Sequence, residues 1–179
     1  KQKLFSDIEA IVSADCILAS NTSSISITQI GAVVTHPERV IGMHFMNPVP
    51  VMKLVEIING YATDATVTAT IVALSTAIQK IPCVVNDYPG FIANRILMPM
   101  INEAIHLFSE GISDAATIDQ IMKLGMAHPM GPLQLADYIG LDVCKNILDI
   151  MQAGFDDTKY APSELLNQMV AANKLGVKT

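Results

Sequence analysis

The sequence contains no tryptophan, and charged residues make up only 16% of it. The formal net charge is −6, and the 11 lysines and arginines form no cluster. Because a nucleic-acid surface needs such a cluster, the composition excludes nucleic acid as an expected partner. The hydrophobic fraction of 51% is too high for a disordered chain. It indicates a large core, or a core together with a buried subunit interface.

Cysteine is also scarce. Only Cys16, Cys83 and Cys144 occur, and they lie far apart. They form no C-x-x-C pair and no His/Cys group with metal-ligand spacing, so we expect free thiols and no metal. Free thiols are typical of a reducing compartment, which favours a cytoplasmic protein. The longest stretch without charge, residues 16–35, is rich in Ser, Thr, Asn and Gln, so no membrane span is expected.

The chain lacks a G-x-G-x-x-G motif and any other glycine-rich phosphate loop. It does not begin with methionine, and its first residues have the pattern of the middle of an amphipathic helix. We therefore expect a piece of a longer protein. A phosphate-binding turn, if the fold has one, is then expected upstream of Lys1, and we expect the piece alone to be inactive.

Hydrophobic periodicity divides the chain into two parts. Up to residue 87, helix patterns alternate with short apolar runs, which predict strands at 16–19, 39–45, 53–58 and 82–85. After the turn residues at 86–90 only helix patterns follow, the first of them over residues 91–110. The sequence therefore predicts an α/β domain over residues 1–87 and an all-α domain over residues 88–179.

The most informative segment is 42–56, where titratable groups interrupt two predicted strands. His44 ends one apolar run, Glu56 lies inside the next, and a loop with two prolines joins them. An unpaired buried carboxylate is costly, and pairing with an imidazole removes that cost. Such a pair fixes one tautomer and leaves the other ring nitrogen free to exchange a proton, which predicts a general base. The alternative is a strand-end histidine and a surface glutamate.

Two further polar segments are candidates for binding. The segment from Ser20 to Ser24 lies where a strand meets a helix, at the edge where open α/β sheets bind ligands. It is either a capping loop or a shelf of hydroxyl and amide groups that contacts a cofactor and the reacting oxygen. Asn94 is either an ordinary polar residue of a first helical turn or a carboxamide that donates to a developing oxyanion. The remaining histidines are expected to be structural or to lie on the surface.

Five motifs together resemble those of the 3-hydroxyacyl-CoA dehydrogenase family, and most of all those of its stand-alone members that act on 3-hydroxybutyryl-CoA. They are A-S-N-T-S-S at 19–24, H-F-M-N-P-V-P at 44–50, L-V-E at 54–56, D-Y-P-G-F-I-A-N-R at 87–95 and M-G-P at 130–132. The resemblance covers nearly the whole chain in order. It implies the C-terminal half of a Rossmann-type NAD-binding domain, followed by a helical dimerisation domain.

The resemblance also implies an activity and a set of site residues. The activity is the interconversion of (S)-3-hydroxyacyl-CoA and 3-oxoacyl-CoA with a nicotinamide cofactor, NAD or, as an alternative, NADP. The implied catalytic residues are His44 as the base, Glu56 as its partner, Ser23 and Asn94. Ser23 and Asn94 are also the implied substrate contacts. The implied cofactor contacts are Lys1, Ser23, Asn47 and Lys178.

The expected partners are an acyl-CoA thioester and a second copy of the chain, bound through the C-terminal helices. Two other interpretations stay open at this point. In the first, the chain is a dehydrogenase module of a multifunctional fatty-acid oxidation protein, which only flanking sequence would decide. In the second, the chain is a non-catalytic helical dimerisation module. The joint presence of Ser23, His44, Glu56 and Asn94 argues against the second of these.

Overall fold

The computed structural model of the protein describes residues 1–179. It contains two compact units, residues 1–91 and residues 92–179. The first unit holds all four strands together with three α-helices, and the second unit is built from helices. An α/β part followed by an all-α part confirms the fold class that the sequence predicts. No helix is both long and apolar enough to cross a lipid bilayer.

The first unit is built on a mixed sheet whose four strands are neighbours in chain order. They are β1 (Leu18–Ser20), β2 (Val40–Phe45), β3 (Leu54–Asn59) and β4 (Ile81–Asn86). β1 is parallel to β2 and β3 is parallel to β4, whereas β2 and β3 are antiparallel. The antiparallel step fits the short connection at 46–53, because parallel strands need a crossover of about a dozen residues or more.

The first strand begins later than the sequence predicts. The expected strand covers 16–19, whereas β1 begins at Leu18. The N–H of Cys16 bonds to the carbonyl of Ser13 in a turn, so the chain is not yet extended there. Cys16 and Ile17 belong to the apolar run because they pack against the core from this turn. The other three strands agree with the prediction to within one residue at each end.

The side chains of each strand point alternately to the two faces of the sheet, and this divides the core between those faces. Val40 and Ile58 are fully buried in the apolar cluster on one face, and Ile41 is fully buried in the cluster on the other face. Successive side chains of a strand point to opposite faces. His44 and Glu56 therefore lie on the same face as Val40 and Ile58, at the end of that apolar cluster.

Three helices complete the first unit: α1 (Gln2–Glu9), α2 (Ile27–Gly31) and α3 (Ala65–Ala77). The last two begin with side-chain caps of the residue types that favour this position. The hydroxyl of Ser26 accepts the N–H of Gln29 at the start of α2. The carboxylate of Asp64 accepts the N–H of Thr66 at the start of α3.

The second unit consists of α4 (Ala93–Ser109), α5 (Ala115–Gly125), α6 (Pro132–Ile139), α7 (Leu141–Phe155) and α8 (Glu164–Ala171). Side chains of α4, α6, α7 and α8 share one buried apolar core. The first of these helices was expected from residue 91 but begins two residues later. Gly90 and Phe91 have φ angles of 77° and 51°, in the left-handed region that no α-helical residue adopts.

Candidate active site

The centre of the site is a buried pair of side chains on β2 and β3. His44 and Glu56 lie directly opposite each other in the antiparallel register. The distance from His44 Nδ1 to Glu56 Oε2 is 2.8 Å. Only 6% and 3% of the two side chains are exposed, so water hardly competes for this bond. The alternation that buries Ile58 therefore also buries the carboxylate, and the imidazole opposite it supplies the compensating bond.

The pair determines which imidazole nitrogen can accept a proton. An ionised carboxylate only accepts hydrogen bonds, so the proton of a neutral imidazole resides on Nδ1 and is donated to Glu56. The lone pair of His44 then lies on Nε2, the nitrogen that is free to take a proton from a substrate. When it does so, the carboxylate faces the resulting imidazolium at hydrogen-bond distance. This is the arrangement of a general base with an orienting carboxylate.

An aromatic ring that the sequence did not single out fixes the imidazole from another side. The ring of Phe91 lies 5.8 Å from that of His44, centroid to centroid, at an interplanar angle of 57°. Phe91 is only 3% exposed. Its N–H bonds to the carbonyl of Tyr88 in a tight turn, and Gly90 supplies the positive φ that the turn requires. The signal in the sequence was the aromatic residue directly after a Pro-Gly turn.

The loop after β1 lies beside the strand that carries His44. The side-chain oxygen of Asn21 accepts the backbone N–H of Phe45 at 3.1 Å. Thr22 is buried, and its hydroxyl accepts the N–H groups of Ser24 and Ile25. Within this compact turn Ser23 is exposed. Thr22 therefore closes a turn within this segment, whereas the cap of α2 is Ser26.

Ser20 provides a test of whether the site fits a polar cofactor. It is the last residue of β1 and is only 3% exposed, yet its hydroxyl has no hydrogen-bond partner in the chain. Buried hydroxyls are nearly always hydrogen-bonded. An unsatisfied one at the carboxyl end of a parallel strand lies where α/β proteins bind nucleotides. With the exposed amide of Asn21 next to it, this end of β1 fits the polar groups of a dinucleotide.

The remaining predicted site residues belong to both units. Lys1 precedes α1 and is exposed, and Asn47 is exposed in the loop after β2, where it precedes the cis peptide bond to Pro48. Asn94 is 8% exposed in the first turn of α4, in the second unit. Lys178, also in the second unit, forms an ion pair of 2.8 Å with Asp142. The ammonium group of Lys178 donates to this carboxylate and holds the pKa of Asp142 below its usual range.

Comparison with protein families divides the chain in the same order as its fold. Residues 1–88 match the model described as 3-hydroxyacyl-CoA dehydrogenase, NAD binding domain. Residues 90–179 match the model described as 3-hydroxyacyl-CoA dehydrogenase, C-terminal domain. The two matches follow each other directly and together cover nearly the whole chain.

Individual relatives agree with these matches. A probable 3-hydroxybutyryl-CoA dehydrogenase of Bacillus subtilis is 52% identical over all of this chain and 62% of its own length. The mitochondrial hydroxyacyl-coenzyme A dehydrogenase of Homo sapiens is 44% identical over all of this chain and 57% of its own length. The solved structure of (S)-3-hydroxybutyryl-CoA dehydrogenase PaaH1 from Ralstonia eutropha has a TM-score of 0.96 and 50% identity, and covers 98% of this chain and 62% of that one. The chain thus spans about three fifths of the length of these relatives.

Proposed function

Because this chain belongs to the 3-hydroxyacyl-CoA dehydrogenase family, we propose that it is part of an oxidoreductase that interconverts (S)-3-hydroxyacyl-CoA and 3-oxoacyl-CoA. The names of its relatives favour 3-hydroxybutyryl-CoA and acetoacetyl-CoA as the substrate pair. The observation that carries the proposal is the buried pair of His44 and Glu56, with Nε2 of the imidazole left for the substrate. The match of residues 1–88 supports NAD as the cofactor.

His44 is the general base in this proposal. In the oxidation direction, its Nε2 takes the proton of the 3-hydroxyl group as the C3–H bond breaks and the carbonyl forms. NAD, when bound, supplies the acceptor of the hydride from C3 and, when reduced, its donor. In the reduction direction, the imidazolium returns its proton to the forming hydroxyl. Glu56 holds Nδ1–H throughout and stabilises the charged ring. Proton transfer by a positioned base contributes about 10²–10⁴-fold to the rate of such reactions.

The other assignments rest on the family motifs at these positions. We propose that the hydroxyl of Ser23 contacts the reacting oxygen and the nicotinamide, and that the carboxamide of Asn94 donates to the thioester carbonyl. Lys1, Asn47 and Lys178 are the further proposed contacts to NAD. The unsatisfied hydroxyl of Ser20 supports a polar ligand next to this loop. We also propose a cytoplasmic location, because all three cysteines are free thiols.

We further propose a homodimer formed through the second unit. A cavity of about 330 Å³ between α4 and α5 is lined almost entirely by apolar side chains, among them Leu107, Ile118 and Ile121. The adjoining surface is also apolar, since 57% of Ile121 and 77% of Leu124 are exposed. Exposed apolar patches of this kind mark protein interfaces. We expect wild type to sediment as a dimer and I121E to sediment as a monomer, whereas K123Q on the same helix stays dimeric. A monomeric wild type would contradict the proposal.

The activity itself is tested in the complete native protein that contains this chain. Acetoacetyl-CoA is supplied with NADH or with NADPH, and nicotinamide absorbance is followed. We expect turnover with NADH and at least tenfold less with NADPH. Turnover with NADPH alone would contradict the cofactor assignment. Absence of turnover with both cofactors, in a folded protein, would refute the proposed reaction and favour the dimerisation-module interpretation.

A further inference from the structure

The loop that carries Ser23 is held at both ends by side chains to which the proposed mechanism assigns no role. At its first end, the backbone pairing of β1 with β2 stops at Ser20, which lies opposite Gly42. The side-chain oxygen of Asn21 then accepts the N–H of Phe45. This side-chain bond continues the connection between β1 and β2 beyond their last paired residues. Because Phe45 directly follows His44, the bond ties the loop to the backbone of the imidazole.

At the other end of the loop, a carboxylate from the end of β4 binds the start of α2. One oxygen of Asp87 accepts both the hydroxyl of Ser26 and the N–H of Thr28, each at 2.7 Å. The backbone N–H of Asp87 bonds to the carbonyl of Asn59 at 2.9 Å, which anchors the residue to β3. The second carboxylate oxygen is buried without a hydrogen-bond partner. One carboxylate oxygen of Asp87 thus accepts two hydrogen bonds, and the other accepts none.

These two contacts matter because the elements they connect are weak by themselves. β1 has three residues and α2 has five. A helix of one turn does not stabilise its own start, since helix nucleation is unfavourable. The position of Ser23 relative to β2 therefore depends on side chains from outside the loop. Asp87 is also four residues before Phe91, whose ring lies against His44. One short segment after β4 thus contacts both the Ser23 loop and the imidazole.

We propose that Asn21 and Asp87 are positioning residues that fix the Ser23 loop to the strand carrying His44, an inference that rests on the proposed function. Neither residue exchanges a proton. Asn21 sets the start of the loop against β2, and Asp87 sets its end against the segment that leads to Phe91. Together they keep the hydroxyl of Ser23 and Nε2 of His44 in one fixed arrangement for the substrate. A displacement of about 1 Å in such an arrangement can lower the rate about 100-fold.

The test compares variants of the complete native protein. N21L and D87A remove the acceptors, whereas N21D and D87N retain an oxygen at the same position. The matched control is D64A, which removes a helix cap of the same kind from α3, a helix without proposed site residues. Each variant is measured for kcat and for KM of acetoacetyl-CoA with NADH, and for its unfolding midpoint in urea. The shorter N21S and D87S carry the same expectation if N21L or D87A does not fold.

We expect N21L and D87A to lower kcat about 10- to 100-fold while KM changes less than about threefold. N21D and D87N should recover most of the lost kcat, and D64A should lower only the unfolding midpoint. The inference is overturned if N21L and D87A lose stability as D64A does but keep kcat within twofold of wild type. Such a result leaves the proposed function intact, provided that wild type is active and H44Q is inactive. An inactive wild type would overturn both.

Discussion

Replacing Glu56 by glutamine separates the two contributions of this residue to the site. The amide oxygen of glutamine can still accept Nδ1–H of His44, so the tautomer and the orientation of the ring are retained. The negative charge is lost, and the second carboxylate oxygen is replaced by an NH2 group. The distance of 2.8 Å between the interacting atoms corresponds to charge centres about 4 Å apart. At an effective dielectric constant of about 20, such charges attract each other by about 4 kcal/mol.

In the oxidation direction, that attraction arises only as the proton transfers and the imidazole becomes charged. Its loss therefore raises the barrier rather than weakening substrate binding. Because 1.36 kcal/mol corresponds to a factor of ten in rate, 4 kcal/mol is an upper limit of about 10³-fold. We expect E56Q to lower kcat by about 10²- to 10³-fold, and KM for (S)-3-hydroxybutyryl-CoA to change less than about threefold.

The assay is steady-state oxidation of (S)-3-hydroxybutyryl-CoA by NAD, measured for wild type, E56Q, H44Q and the double variant. Residues that act as one unit are not additive. The double variant should therefore be no slower than H44Q alone. The reasoning is refuted if E56Q keeps kcat within twofold of wild type, or if its effect multiplies with that of H44Q.

Three further predictions concern stability and reactivity. F91A should lower the free energy of unfolding by about 3–5 kcal/mol in urea titrations, because a buried ring is lost, and it should also lower kcat. An unchanged urea midpoint would contradict the burial of the Phe91 ring. G42A should lower the free energy of unfolding by about 1–3 kcal/mol, because a Cβ at position 42 would lie 2.8 Å from the Cβ of Ile58. Iodoacetamide at pH 8 should modify the exposed Cys83 and spare Cys144 until the protein unfolds, since burial raises the pKa of Cys144 to about 12. Mass spectrometry that finds Cys144 labelled first would contradict this prediction.

Sequence patterns located most of the fold because hydrophobic periodicity directly reflects which faces are buried. They also predicted the pairing of His44 with Glu56, since both residues interrupt apolar strands that a short loop joins. The pattern placed β1 too early because a turn that packs on the core is as apolar as a strand. It placed the start of α4 too early because the left-handed φ of Phe91 is not visible in residue types.

Long-range contacts account for what the sequence did not reveal. The bond from Phe45 to Asn21 spans 24 residues, and the bond from Ser26 to Asp87 spans 61. Such contacts depend on strand register and loop path, which no local pattern encodes. The same holds for the ring of Phe91 against the imidazole. The cofactor roles of Lys1, Asn47 and Lys178 stay predictions that rest on the family motifs.

The most direct test of the central claim is turnover of H44Q in the complete native protein with acetoacetyl-CoA and NADH. Calorimetric binding of acetoacetyl-CoA provides the control for an intact site. If His44 is the base, kcat falls about 10²- to 10⁴-fold while substrate affinity stays within about threefold of wild type. If H44Q binds substrate normally and turns it over within a few-fold of the wild-type rate, another group transfers the proton and the account is wrong.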